Sequence, residues 1–207
     1  MMRNMARSYV RRCSGAMSLL AWGAMASVHA QSAIPPGTFN LWLAEQPIPE
    51  APLFQARIAG VASYKNYEAT ATLAFACRTD GGRVWADLVV DPKTIGFDAD
   101  PYEGPDATAG GPIVITSGSD AAIRSKVSGS YGDGGPFNTG TPFRFQFAPD
   151  QAAVARWSQA GARGKPLHIV VPAASGGTGM TVDFRWPDDD GVFRQVVAPC
   201  LGKLAQH

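Results

Sequence analysis

The sequence predicts a mainly β protein, either a two-layer antiparallel β-sandwich or a partly open barrel, with one short helix. Two observations support this prediction. Apolar residues alternate with polar ones in several segments, which is the period of a half-buried strand. The 207 residues also include 23 Gly and 16 Pro, an excess that predicts many turns and therefore short strands. Short strands joined by turns, with little helix between them, are typical of these two antiparallel architectures.

The first thirty residues have the three parts of an export signal. Arg3 to Arg12 form a positive region, Ala16 to Val28 form an apolar stretch, and small residues precede a cleavage point after Ala30. We therefore expect a signal peptide over residues 1–30 and a mature protein in the periplasm or outside the cell. The apolar stretch is shorter than the roughly 18 residues that cross a membrane, and no later segment is comparably apolar. We expect no membrane span in the mature protein.

Removal of this segment changes the net charge, because it contains four Arg and no acidic residue. Residues 31–207 hold 14 Lys and Arg against 17 Asp and Glu, a net charge of −3. Nucleic-acid binders and polybasic membrane-surface proteins need clustered positive charge. The composition therefore argues against both classes.

Two cysteines, Cys77 and Cys200, remain once Cys13 is removed with the signal. An even pair in an oxidising compartment predicts a disulfide bond. Neither cysteine has a nearby histidine in the sequence that would activate it as a nucleophile. The bond would close a single β-rich domain over residues 53–207.

Residues 31–52 contain five prolines and are predicted to form an irregular arm that precedes this domain. Phe39, Leu41 and Trp42 are the candidate anchors of the arm on the core. The periodicity of the following chain predicts a strand at 69–77 with Cys77 on the core side, and its hairpin partner at 84–90. Further strands are predicted at 113–115, 123–127, 143–147, 167–171, 180–186 and 192–197, with loops at 91–111 and 128–142.

One helix is predicted, from Asp150 to Ala160. Asp150 fits the N-cap position, Val154 and Trp157 fall on one face, and Gly161 is a suitable stop. A hairpin at Pro187–Gly191 is expected to lead into the last strand.

Candidates for enzymatic chemistry are few. The mature chain contains two histidines, and one of them is the terminal residue, so His168 would have to act alone. Its neighbours Leu167 and Ile169 predict a strand position rather than a general base or a zinc ligand. No Gly-x-Ser-x-Gly string is present. We therefore predict no catalytic residue and no enzyme, and a hydrolase whose mechanism lacks histidine is left open as an alternative.

A group of acidic residues, Asp98, Asp100 and Glu103, is the weak candidate for a metal site. Calcium takes carboxylate and carbonyl oxygens, but the spacing lacks the Gly and Glu of an EF-hand loop. The alternative is a set of solvated turn residues. No other cofactor is predicted.

The predicted loop at 128–142 carries five Gly and two Pro between two strands. Rigid strands can present such a segment to another molecule, so we expect a partner-binding loop here. Its candidate contact residues are Tyr131, Asp133, Phe137 and Asn138. Trp42 and Trp85 are either partner-surface aromatics or core residues, and the core is the commoner place for Trp.

The order of elements supports a comparison with known families. A strand ends in Cys77 and its hairpin partner follows; later come the helix at 150–160, strands at 167–171 and 184–186, and the segment from Phe193 to Cys200. Over residues 70–201 this order resembles the type VI secretion accessory family VasI and, more loosely, invasion-associated protein B. The resemblance implies a periplasmic, non-enzymatic protein whose strands and loops contact another protein.

We therefore expect an exported protein-binding domain, such as a secretion-system accessory or an inhibitor or immunity protein. The alternative is a small-ligand or carbohydrate-binding module, assisted by calcium at Asp98 and Asp100.

Overall fold

The computed structural model describes residues 40–46, 50, 53–132 and 140–202, all within one compact unit. Strands make up 42% of the described residues and helices 20%, so the mainly β prediction is confirmed. Every pair of neighbouring strands in the sheet is antiparallel. No described helix combines the length and the apolar character that crossing a membrane requires.

One sheet contains all ten strands of the described residues. The strands are β1 (Leu43–Glu45), β2 (Leu53–Tyr64), β3 (Tyr67–Arg78), β4 (Trp85–Val90), β5 (Ile113–Ser117), β6 (Ile123–Ser125), β7 (Val127–Tyr131), β8 (Phe143–Phe147), β9 (Pro166–Val171) and β10 (Met180–Arg185). The α-helices are α1 (Pro92–Ile95), α2 (Gln151–Trp157) and α3 (Gly191–Leu201), and short 3-10 helices lie at Asp100–Tyr102 and Ala160–Ala162.

The two edges of the sheet are joined by one short piece of chain. The strand order is β6-β5-β9-β10-β2-β3-β4-β8-β7, with β1 paired to β2 beside this path. β6 and β7 are the two ends of that order, yet only Lys126 separates them in sequence. The backbone N–H of Val127 donates to the carbonyl of Gly110 at 3.0 Å, and the Ser125 hydroxyl donates to the carbonyl of Ala148 at 3.2 Å. The sheet is therefore nearly closed into a barrel, the second of the two predicted architectures.

Alternating apolar residues fill the inside of this barrel. The predicted pattern at 143–147 is confirmed, because Phe143, Phe145 and Phe147 are buried while Gln146 is exposed. An aromatic cluster packs nearby with ring centroids 4.9–6.1 Å apart; its members are Trp42, Phe75, Trp157, Trp186 and Phe193. Barrels of about eight strands are just wide enough for side chains to fill. The interior is a packed core.

β2 is a strand of 12 residues that the sequence pattern does not reveal. It contains three Ala and one Gly, which are poor strand formers, so its alternation is weak. Its turn to β3 is Lys65-Asn66 and lacks the Gly that marks most two-residue hairpins. Lys65 itself takes the left-handed conformation, with φ 54°. The strand is held instead by pairing with β3 along its whole length, from Leu53 opposite Arg78 to Tyr64 opposite Tyr67.

The predicted last strand at 192–197, with the hairpin before it, is wrong, because these residues belong to α3. The buried residues of α3 are Phe193, Val196, Val197, Cys200 and Leu201. They are spaced by three and four residues, which places them on one helical face. The run of Val favours a strand in a short window, but packing on β2 and β3 selects the helix.

The predicted helix at 150–160 is present as α2, which ends at Trp157. Asp150 caps it as expected, since its Oδ2 accepts from the N–H of Ala153 at 3.2 Å. The prediction of a single helix is wrong, because α1 and α3 are also helical. α1 lies inside the predicted loop 91–111, where Asp91 accepts hydrogen bonds from the first N–H groups of the helix.

The arm before the domain is not wholly irregular, since β1 pairs with β2. Trp42 is the predicted anchor that the structure confirms: it is 4% exposed, and its ring stacks on Phe193 with centroids 4.9 Å apart. Leu41 is 47% exposed and is not an anchor. Phe39 lies outside the described residues.

The Cys77–Cys200 disulfide is present, with the two Cα atoms 6.0 Å apart. It joins the end of β3 to α3. Both cysteines are buried, so the bond lies inside the core and fixes the helix on the barrel.

We predict that the double variant Cys77→Ser, Cys200→Ser loses about 5 kcal/mol of unfolding free energy in a urea titration, because the bond closes a long loop with a sequence separation of 123. Reductant should destabilise the wild type by a similar amount and leave the double variant unchanged. A double variant as stable as the oxidised wild type would contradict this expectation.

A second prediction concerns Gly60, where β2 passes close to β10. A Cβ atom at Gly60 would lie 2.4 Å from the carbonyl oxygen of Asp183 and 2.4 Å from the Phe184 ring. Gly60→Ala should therefore cost about 1–3 kcal/mol in thermal or urea unfolding. Gly110→Ala is the matched control, because its nearest neighbour would be 3.7 Å away. Equal stability of the two variants would show that the close approach is relaxed.

Candidate binding surface

The predicted partner-binding loop begins later than expected. Ser128 to Tyr131 belong to β7 and pair with β8, so the loop prediction for these four residues is wrong. The pairing continues because Gly129 leaves room for the Phe143 ring, which lies 2.4 Å from the position of a Cβ there. Asp133, Phe137 and Asn138 lie outside the described residues, and their role stays a prediction.

Tyr131 is held by contacts within the protein. Its hydroxyl donates to Oδ1 of Asp100 at 2.6 Å, and its ring meets Phe143 edge-on with centroids 4.8 Å apart. The hydrogen bond to Asp100 raises the pKa of Tyr131 to about 12, and burial and the negative charges of Asp100, Glu103 and Asp98 act in the same direction. Any partner contact of Tyr131 would use the remaining exposed part of its ring.

The predicted calcium ligands Asp98, Asp100 and Glu103 are all exposed. Asp100 already accepts the hydrogen bond from Tyr131, and the backbone of Glu103 forms a bridge with Gly129. Within the described ranges, no three His, Cys, Asp or Glu side chains are grouped so that they could hold a metal ion. Calcium binding stays a prediction without a structural feature to support it.

His168 occupies the predicted strand position, in β9. Its Nδ1 lies 2.7 Å from Oδ1 of Asp183, directly across on β10, and both side chains are substantially exposed. Thr116 lies opposite His168 on its other side, but no hydrogen bond joins these two described side chains. A nucleophile needs its base within hydrogen-bond reach, so this row does not form an activated hydroxyl.

Trp85 is one of three large aromatic residues of the described strands that are substantially exposed, together with Phe54 and Tyr67. It is 46% exposed, whereas Trp42, Trp157 and Trp186 are at most 4% exposed. The cause is strand alternation, since the even-numbered residues of β4 fill the core and the odd-numbered ones point away from it. Trp85 is therefore presented by a paired strand and not by a loop.

Small side chains of β3 form the surface beside Trp85. Ala76 lies directly opposite Trp85, and Ala74 lies opposite Asp87. Both alanines are less than 8% exposed although they are on the outer side of the sheet. Neighbouring side chains therefore cover both alanines.

Arg57 is on β2, and its long side chain extends over these alanines. It pairs with Ala74 in the sheet register, and its Nη1 donates to the hydroxyl of Thr72 at 3.1 Å. Its Nε donates to Glu45 of β1 at 2.9 Å, and its side chain is only 11% exposed. The guanidinium is therefore held in place, and most of its charge is balanced by Glu45.

Asp87 completes the patch on the β4 side. The Gln146 side chain on β8 donates to its Oδ1 at 3.2 Å. Burial raises the pKa of the Asp87 carboxyl above its usual value, and Arg144, Gln146 and Arg57 oppose that shift. We call this patch the Trp85 face. Its residues are Arg57, Ala74, Ala76, Trp85, Asp87 and Gln146.

Sequence reasoning placed Trp85 with Trp42 as a residue of uncertain exposure. The alternation of β4 was sufficient to find its orientation, because Val84, Ala86 and Leu88 already occupy the core face. No comparable alternation in the sequence indicated that Arg57 lies on this surface. Its position depends on β2, which the sequence pattern did not predict.

Comparison with protein-family models, with curated proteins and with solved structures finds no match for this chain. The resemblance to the VasI family therefore stays a prediction.

We predict that Asp100→Asn lowers the pKa of Tyr131 from about 12 toward the ordinary value of 10.0. Tyrosinate absorbance, taken as the difference between each protein and the same protein carrying Tyr131→Phe, measures this pKa. Because the folded-state pKa is raised above the unfolded value, the contribution of Tyr131 to stability is complete below about pH 10. It is lost as the pH rises through about 12. An unchanged pKa in Asp100→Asn would show that this hydrogen bond is not formed in solution.

Proposed function

We propose that this protein is an exported, non-enzymatic binding domain that recognises another protein through the Trp85 face. The observation that carries the proposal is the 46% exposure of Trp85 at the start of β4, where it pairs with Ala76 of β3. Trp and Arg are the residue types most enriched at the energetic centres of protein interfaces.

The polar groups around Trp85 support the proposal because they are already positioned. Arg57 is fixed by Glu45 and Thr72, and Asp87 by Gln146. Binding pays less conformational entropy when the side chains at an interface are ordered beforehand. The charge of Arg57 is also balanced, by Glu45, and the buried centres of interfaces are poor in unbalanced charge.

Export is part of the same proposal. A buried Cys77–Cys200 disulfide suits an oxidising compartment, and the first thirty residues have the composition of a signal peptide. We therefore place the domain in the periplasm or outside the cell. The VasI resemblance implies that the partner is a protein; a secretion-system component, or a toxic enzyme that the domain inhibits, is the class of partner we propose.

A carbohydrate is the second candidate for the Trp85 face. An exposed Trp ring with the Asp87 and Gln146 side chains beside it offers a stacking surface and hydrogen-bonding groups for hydroxyls. This candidate needs no calcium.

We predict that Trp85→Ala weakens retention of the partner by roughly thirtyfold, the equivalent of a hot spot of about 2 kcal/mol. The measurement is quantitative capture on the immobilised, disulfide-bonded domain from extracts of the compartment into which it is exported, followed by titration with the purified partner. Tyr67→Ala is the matched control, because Tyr67 is 56% exposed at the β2–β3 turn, away from the patch.

The wild type and Tyr67→Ala should retain the same protein, and Trp85→Ala should lose it while melting at the wild-type temperature. Equal retention by all three proteins would contradict the proposal. Release of the captured protein by free sugars would instead favour the carbohydrate candidate.

A further inference from the structure

Asp87 is the acidic side chain of the Trp85 face. It lies two residues after Trp85 on β4, so both side chains are on the outer side of the sheet. Two residues of a strand span about 6.6 Å. A cation is attracted by an aromatic ring when it lies within about 6 Å of the ring centroid. One cationic group can therefore contact the Trp85 ring and the Asp87 carboxylate at the same time.

The Asp87 carboxylate has room for a further hydrogen-bond donor. Within the described part of the chain, its side-chain donor is Gln146, whose Nε2 donates to Oδ1 at 3.2 Å. This donor is a neutral amide, and a carboxylate offers about four acceptor positions on its two oxygens. The Asp87 side chain is only half-buried. A ligand can therefore reach the second oxygen, Oδ2.

Two arginines on the outer side of the neighbouring strands already have acidic partners. Nε of Arg57 on β2 donates to Glu45 at 2.9 Å, and Nε of Arg78 at the end of β3 donates to Asp80 at 3.0 Å. Each of these guanidinium groups is matched by a carboxylate of its own. Neither of them forms an ion pair with Asp87.

The surroundings of Asp87 do not compensate its negative charge in full. Burial raises the pKa of its carboxyl, and this effect exceeds the opposite effects of Arg144, Gln146 and Arg57. A raised pKa means that the site disfavours the ionised carboxyl. A further cation beside the carboxylate would favour the ionised form. The site is therefore complementary to positive charge.

The ring of Trp85 favours one kind of cation. Trp is the aromatic side chain that attracts cations best, and 46% of Trp85 is exposed. A guanidinium group is planar, so it stacks on an aromatic face, and its forked N–H groups match the two oxygens of a carboxylate. The combination of Trp85 with Asp87 thus suits the guanidinium of an arginine.

We propose that the Trp85 face recognises an arginine side chain of its protein partner, which stacks on Trp85 and donates hydrogen bonds to Asp87. Gln146 is a positioning residue, because its hydrogen bond to Oδ1 orients the carboxylate and leaves Oδ2 to the ligand. This inference rests on the proposed function, since it names the chemical group that the partner must present.

Two blocked tripeptides test this proposal on the disulfide-bonded protein. One is acetyl-Ala-Arg-Ala-amide, and the other has citrulline, a neutral side chain of nearly the same shape, in place of arginine. Backbone amide NMR signals of β3 and β4 measure binding. We expect the arginine peptide to bind about tenfold more tightly than the citrulline peptide, because it adds charge-assisted hydrogen bonds and a cation–π contact.

Asp87→Asn should lower this ratio to about twofold, because the cation–π contact alone remains. The Asn side chain can still accept the hydrogen bond from Gln146. Trp85→Ala should weaken binding of the arginine peptide at least about fivefold. Asp120→Asn is the matched control, because Asp120 is an exposed acid of the β5–β6 turn that lies 4.0 Å from Arg156. It should leave the ratio within about twofold of the wild-type value.

Three results would each overturn the proposal: equal affinity of the wild type for the two peptides, no binding of the arginine peptide, or an equal fall of the ratio in Asp87→Asn and Asp120→Asn. Any of them leaves open the loss of the captured partner in Trp85→Ala, so this inference can fail while the proposed function stands. A clear preference for the arginine peptide, together with equal capture by the wild type and Trp85→Ala, would instead contradict the proposed function and not the arginine site.

Discussion

The short strands on either side of Lys126 set the geometry of the whole sheet, because one continuous segment forms both of its edges. When β6 and β7 are counted as a single bent strand, the path has eight strands, an even number that allows every neighbouring pair to be antiparallel. An open sheet of this length would expose two rows of unpaired backbone groups, which favour aggregation. Closure removes most of these rows and leaves an interior of the size that side chains fill.

Closure of the barrel also determines which side chains lie on its outer surface. Once the large apolar residues of β3, β4 and β8 are used in the core, the outer positions hold small residues, charged residues and Trp85. The alanines of β3 allow Arg57 to lie across the sheet toward Thr72, and Asp87 is enclosed by its neighbours. This enclosure disfavours the charged form of the Asp87 carboxyl and therefore raises its pKa. The Trp85 face thus combines a partly desolvated carboxylate with an exposed Trp.

The sequence was informative where local chemistry decides the outcome. Phe143 to Phe147 alternate strictly, Asp150 is a strong helix cap, and Cys77 and Cys200 are predicted to pair; the structure confirms all three predictions. The sequence-based predictions were wrong or incomplete where contacts between distant parts of the chain determine the secondary structure. The alanine-rich β2 exists because β3 pairs with it, and α3 is helical because its apolar face covers the aromatic cluster. The Trp85 face includes Arg57 of β2, so it could not be assembled from the sequence.

A photo-cross-linking phenylalanine derivative placed at position 85, where it keeps an aromatic ring, tests the central claim most directly, in cells that produce the full-length protein. If the Trp85 face is the recognition surface, light should join the protein to one discrete partner at position 85 and to none at position 67, which is equally accessible. Cross-links at position 67 with none at position 85, in cells that contain the folded, disulfide-bonded protein, would contradict the account.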